Sequence, residues 1–244
     1  MKLESSVVWH RRKFLVPNAV TLGNLFCGFL ACIYAGSNRY EKAAVAIGIA
    51  ILLDGLDGRL ARRLNATSKF GVEFDSFSDF ISFGVAPAYL LYCWCFRELA
   101  DEFGVTVTFV YCLACAARLA RFNISESSTS NFEGLPTPGA AFAIASFVFF
   151  SPHVQPSLAL VVFYSLFALA LAYLMVSKVE YFSVKRVKFD DVNKFVMLGI
   201  GATIALTWYS NKVGFMALAT FYCLSGPVGQ ILRKRKDNRL KNVA

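Results

Sequence analysis

Polar residues interrupt this chain at intervals, and the apolar runs between them are long. Residues 14–38 carry no charged side chain and follow Arg11, Arg12 and Lys13, a run of the length that crosses a bilayer core, roughly 17–25 residues. A basic start before an apolar run also fits a signal peptide. This run is too long for a secretory h-region, no small-residue cleavage site follows it, and more apolar runs come after, so it reads as a first span. A second run starts near Ala43 and stays apolar to Leu53, where Asp54 and Asp57 interrupt it. A third covers about 71–96, with Asp75 and Asp79 in its first turns, and a fourth about 103–117. Residues 134–177 hold no formal charge, and the stretch 151–156, with Pro152 and Pro156, divides them into two spans. A seventh and an eighth span follow at about 195–208 and 213–232, separated by Tyr209, Ser210, Asn211 and Lys212. The pattern predicts an all-α polytopic membrane helix bundle of about eight transmembrane helices joined by short loops. No internal repeat or low-complexity tract divides it, so residues 1–244 read as a single integral-membrane domain.

Composition agrees with the pattern. Of 244 residues 57% are hydrophobic and only 17% charged, against about 25% charged in an ordinary soluble domain. Cys27, Cys32, Cys93, Cys95, Cys112, Cys115 and Cys223 all lie in apolar runs and are odd in number. Cys112 and Cys115 form a lone C-x-x-C without a second pair, so the cysteines read as small buried hydrophobes and not as a disulfide or zinc framework. The net charge of +9 does not point to nucleic acid, because the basic excess flanks the apolar runs. It fits membrane topology and contact with anionic membrane lipids. With a cytoplasmic N-terminus, the inner segments are 1–13, 54–71, 118–133, 178–194 and 233–244. They hold all of the 25 Lys and Arg except Arg39, Lys42, Arg97 and Lys212. This bias predicts both termini, and four aspartates, on the cytoplasmic side of the inner membrane.

Those aspartates carry the chemistry. An ionised carboxylate at the bilayer centre costs about 2.5–3.5 kcal/mol on insertion scales, yet four occur within two consecutive helices. Asp54 and Asp57 are three apart and Asp75 and Asp79 four apart, so each pair shares a helical face. A tight turn between the helices would bring the pairs together. Two such charges 4 Å apart repel by about 4 kcal/mol at an effective dielectric of ~20, so either some are protonated or divalent cations lie between them. All-oxygen ligands suit Mg²⁺, Mn²⁺ or Ca²⁺, and a metal pair is a known arrangement for phosphoryl displacement. Gly55, Gly58 and Gly71 leave room for a ligand against the backbone. Arg62, with Arg59 or Lys69, offers cations to a diphosphate, although Arg59, Arg63 and Lys69 equally satisfy the positive-inside rule.

The run Asp54-Gly55-Leu56-Asp57-Gly58-Arg59-Leu60-Ala61-Arg62, followed at fixed spacing by Gly71, Asp75 and Asp79, resembles the signature of the CDP-alcohol phosphatidyltransferase family. The resemblance implies that Asp54, Asp57, Asp75 and Asp79 hold the metals and that Asp79 is also the general base. Asp57, Gly58, Ala61, Arg62 and Gly71 would line the CDP site. It further implies a homodimer with its active site open to the cytoplasmic leaflet.

The signature does not distinguish the acceptor alcohol. Further segments are similar to the serine-using bacterial branch of the family: Pro17 to Thr21 with Asn24 and Gly28, Glu73 to Ser76, Ser82 to Pro87, Arg118 to Asn123, and Phe132 to Pro138. They imply CDP-diacylglycerol and L-serine as substrates. Serine is a zwitterion, and Arg118 or Arg121, three apart at the inner end of the fourth helix, offers a cation for its carboxylate or for a phosphate; both equally fit as topology anchors. Glu73 is given no role toward the ammonium. His10 and His153, the only histidines, lie outside the motif, so no histidine base is expected. Two other readings compete: a sister enzyme using glycerol 3-phosphate, which would want more cations near the site, and an ion-coupled transporter. Acids clustered in one hairpin at one membrane edge fit catalysis on a leaflet better than the repeated, broken helices of transporters.

Overall fold

The computed structural model describes residues 2–64, 66, 68–124, 134–155, 157–179 and 210–241. The expected seventh span, 195–208, lies outside the described residues. Among those described, every regular element is helical and none is a strand. In chain order they are α1 (Lys2–Gly36), α2 (Tyr40–Arg63), α3 (Lys69–Asp79), a π-helical stretch (Phe80–Val85), α4 (Ala86–Leu91), a second π-helical stretch (Tyr92–Phe96), α5 (Asp101–Ile124), α6 (Thr137–Phe150), α7 (Leu158–Val176) and α8 (Asn211–Lys241).

Four stretches among the described residues are long and apolar enough to cross a membrane: Leu15–Gly36, Lys69–Phe96, Asp101–Ile124 and Leu158–Val176. They coincide with the first, third, fourth and sixth expected spans, and the chain is an integral membrane protein. The fifth is the shorter apolar helix Thr137–Phe150. The second and eighth fall within α2 and α8, whose apolar portions continue into charged turns. α2 in particular does not stop at Leu53 but runs through both of its aspartates to Arg63.

α1 shows how such a helix is sorted between lipid and protein. Leu22, Phe26, Phe29 and Ile33 form one stripe, each more than half exposed. Pro17, Thr21, Asn24, Gly28, Ala31 and Ala35 form the opposite stripe and are all buried. Large apolar side chains therefore face outward, and small or polar ones face the bundle, as expected where lipid offers no hydrophobic penalty and packing depends on close backbone approach. The facing stripe of α2 continues the logic. Ala43, Ile47 and Ala50 are buried against the core, and at the same three-four spacing Asp54 and Asp57 follow them.

The helix from Lys69 to Phe96 contains Pro87, which has no N–H to give the carbonyl of Phe83. In α-helical geometry that carbonyl would be orphaned in an apolar interior. Here the wall of the bundle supplies the donor: Tyr111 of α5, fully buried, donates its hydroxyl to Phe83 O at 3.0 Å. Such outside support is what permits irregular backbone within a membrane.

Candidate active site

α2 and α3 are consecutive helices, and their acidic faces approach each other. Ser68 caps α3, its Oγ accepting from Gly71 N at 3.0 Å. As the spacing predicted, the two acidic pairs converge. Carboxylate oxygens of Asp54, Asp57 and Asp75 all lie within 4.8 Å of one another. Asp79 stands one turn beyond Asp75, at the end of α3. Asp57 is only 4% exposed.

Two neutral donors from α1 enter this acidic group. Thr21 Oγ1 donates to Asp57 Oδ2 at 3.0 Å, and Asn24 Nδ2 donates to Asp79 Oδ1 at 3.2 Å. α1 is held in register for this by hydroxyls of the opposing helix: Ser78 Oγ donates to Thr21 O at 3.1 Å and Ser82 Oγ to Asn24 O at 3.0 Å. Gly28 permits the approach. A Cβ there would lie 2.8 Å from Ser82 Cα, which no side chain tolerates. Sequence reasoning named Thr21, Asn24, Gly28 and Ser82 only as part of a resemblance and gave them no role. For Thr21, Asn24 and Gly28 the signal available was a three-four spacing on one face of an otherwise apolar helix.

The donor set fits a hard divalent cation. It is all oxygen, three carboxylates converge, and Asp75 Oδ1 is buried with no hydrogen-bond partner among the described residues. A buried carboxylate oxygen left unpaired is costly, and coordination would satisfy it.

The other residues singled out fall around this centre. On α2, Gly58 and Ala61 are half-buried and Arg62 is exposed. A Cβ at Gly55 would meet nothing within 4 Å, and one at Gly58 would meet only the tip of Arg62, at 3.7 Å. The α2 backbone beside the aspartates is thus open to a ligand. Gly71 lies against Ser68 and Asn18 instead. Arg118 and Arg121 sit on the last turns of α5, which runs past the expected end at 117 to Ile124. Arg118 Nη1 donates to Met175 O at 3.4 Å and Arg121 Nη1 to Val176 O at 3.1 Å. Both therefore cap the C-terminal carbonyls of α7, which have no partner within the helix. Gly134 fits beneath them with a φ of +79°, and a Cβ there would lie 2.8 Å from Arg118 Nη1. The end of α5 is joined to the acidic helix through Asn123, whose Nδ2 donates to Ser76 Oγ at 3.0 Å.

The model of the CDP-alcohol phosphatidyltransferase family matches residues 14–177, a stretch that includes every element of this site. The chain belongs to that family. Named relatives agree. A CDP-diacylglycerol–serine O-phosphatidyltransferase of Helicobacter pylori is 38% identical over 181 residues, covering 72% of this chain and 76% of its own. One of Bacillus subtilis is 35% identical over 168 residues, covering 68% of this chain and 89% of its own. An archaetidylserine synthase of Methanothermobacter thermautotrophicus is 34% identical over 170 residues, 68% of this chain and 69% of its own. Family membership makes the chain a phospholipid-synthesising transferase and gives the acidic cluster its chemical context.

Proposed function

We propose that this chain transfers the phosphatidyl group of CDP-diacylglycerol to the hydroxyl of L-serine, giving phosphatidylserine and CMP. The observation that carries the reading is the convergence of Asp54, Asp57 and Asp75 between α2 and α3, with Asp79 one turn further along α3, in a family whose relatives here are named as serine phosphatidyltransferases. Asp79 takes the proton of the serine hydroxyl. The freed oxygen forms a bond to the lipid-side phosphorus, the bond from that phosphorus to the CMP oxygen breaks, and CMP leaves with the electron pair. Asp54, Asp57 and Asp75, with Asp79 beside them, would hold a divalent cation, Mg²⁺ or Mn²⁺. When bound, it supplies positive charge for the diphosphate and the departing CMP. Asp57, Gly58, Ala61, Arg62 and Gly71 bind CDP, the open backbone at Gly58 admitting it closely and Arg62 meeting its charge. Arg118 or Arg121, besides capping α7, receives the serine carboxylate or a phosphate, since a guanidinium carries five N–H donors.

The whole chain acts as one domain of about eight spans, as a homodimer, in the inner membrane. Its termini and active site face the cytoplasm, where the basic residues also meet anionic lipids. Support for this orientation comes from the charge bias of the loops. The decisive experiment gives the purified protein CDP-diacylglycerol with labelled serine, glycerol 3-phosphate or inositol phosphate in parallel. Serine alone should be incorporated into lipid; preferential incorporation of either phosphate would replace the acceptor.

A further inference from the structure

Asn24 stands apart from the other residues around the acidic centre. It has no charge and is no part of the aspartate signature, yet its side chain is completely buried in a membrane helix. Its amide nitrogen donates to Asp79 Oδ1 at 3.2 Å. Its amide oxygen is buried with no hydrogen-bond partner among the described residues. An unpartnered buried amide oxygen is destabilising, so an apolar side chain of similar volume would serve the packing of α1 better. The amide orientation follows from Asp79 as well. Turned over, the amide would set an oxygen against the carboxylate oxygen, two acceptors with no proton between them.

From this geometry we infer that Asn24 is a positioning residue that acts through Asp79. The hydrogen bond engages Oδ1 and fixes the carboxylate plane, so that Oδ2 is the oxygen turned to the acceptor hydroxyl. The seam of Ser82 Oγ on Asn24 O, with Gly28 one turn along, sets the height of the amide relative to Asp79. Thr21 gives Asp57 a donor in the same way, so one face of α1 orients one carboxylate of each acidic pair. The inference rests on the reading of Asp79 as the base.

A double-mutant cycle tests it, with kcat and KM measured in one detergent for the unaltered protein, Asn24→Ser, Asp79→Asn and the double variant. Asn24→Ser should lower kcat roughly 10- to 100-fold, the usual cost of losing a group that orients a reacting or ligating one, while KM for CDP-diacylglycerol stays within about threefold. In the Asp79→Asn background the same substitution should cost less than about threefold, because residues acting as a unit are not additive. An equal loss in both backgrounds, or a change confined to KM, would overturn the positioning role. If Asn24→Ser does not fold, Asn24→Leu replaces it. That variant should be slow at unchanged or higher thermal stability, whereas lower stability with normal kcat would make Asn24 a structural residue. Normal turnover in Asp79→Asn alone would instead remove the base, a failure distinguishable from that of the inference.

Discussion

Thr21 Oγ1 lies 3.0 Å from Asp57 Oδ2 and 3.2 Å from Pro17 O. A hydroxyl has one hydrogen to give, and the carboxylate is the stronger acceptor, so α1 is tied to α2 at the floor of the acidic cluster. Thr21→Val keeps the shape and removes the donor. The metal concentration giving half-maximal activity should rise about 10- to 100-fold, the usual cost of losing a hydrogen bond to a metal ligand. A metal titration of activity reads it, and an unshifted titration curve would mean that Asp57 needs no support from α1.

Asp79 and Asp57 should fail differently. Asp79→Asn keeps size and hydrogen bonding but cannot take a proton, and should lose roughly 10²–10⁴-fold in turnover with CDP-diacylglycerol binding retained. Asp57→Asn should damage metal and CDP binding together. Turnover and lipid affinity in the same detergent separate the two. Equal losses of binding and turnover in Asp79→Asn would make that residue chiefly a ligand.

Dependence on a divalent cation should be absolute, because carboxylate oxygens within 4.8 Å of one another repel unless a cation or a proton intervenes. Excess chelator should abolish turnover, with Mg²⁺ or Mn²⁺ restoring it. Full activity in chelator would leave protonated carboxylates as the arrangement.

Gly28→Ala places a methyl group against the backbone at Ser82. The seam must open, at a cost of about 1–3 kcal/mol for overpacking, and Thr21 and Asn24 withdraw from their aspartates with it. Thermal stability and turnover should fall together. Stability unchanged with full activity would show that the seam yields without consequence.

Fusion of a reporter active only outside the cytoplasm to Ala244 should give no signal, since nearly all Lys and Arg fall on one side of the expected topology. A bright fusion would invert the membrane side assigned to the aspartates.

The aspartates were legible in the sequence because charge in an apolar run is conspicuous and because spacings of three and four fix a shared face. The end of the second span was not. Hydropathy registers Asp54 and Asp57 as a stop, whereas α2 continues because both lie on its protein-facing stripe. Thr21 and Asn24 carry no charge, so an apolar run hides them; only the opposing carboxylates reveal what they do. The placing of Arg118 and Arg121 on the end of α7 depends on a contact more than fifty positions along the chain, beyond the reach of any local pattern. Pro87 is easily seen in the sequence, but its remedy, the hydroxyl of Tyr111, lies on another helix.

The π-helical stretch at Phe80–Val85 follows directly on Asp79. A π turn takes in one residue more than an α turn, and one residue of a helix corresponds to about 100° of rotation. The turns from Ala86 to Leu91 are therefore out of phase with those that carry Asp75 and Asp79. A single rod can thus aim its aspartate-bearing half at the acidic cluster and the following turns, through Leu90 and Leu91, at a dry core, with neither part dictating the azimuth of the other. Selection on the acidic turns and selection on the packing of Ala86–Leu91 are decoupled by the residue that the first π turn takes in.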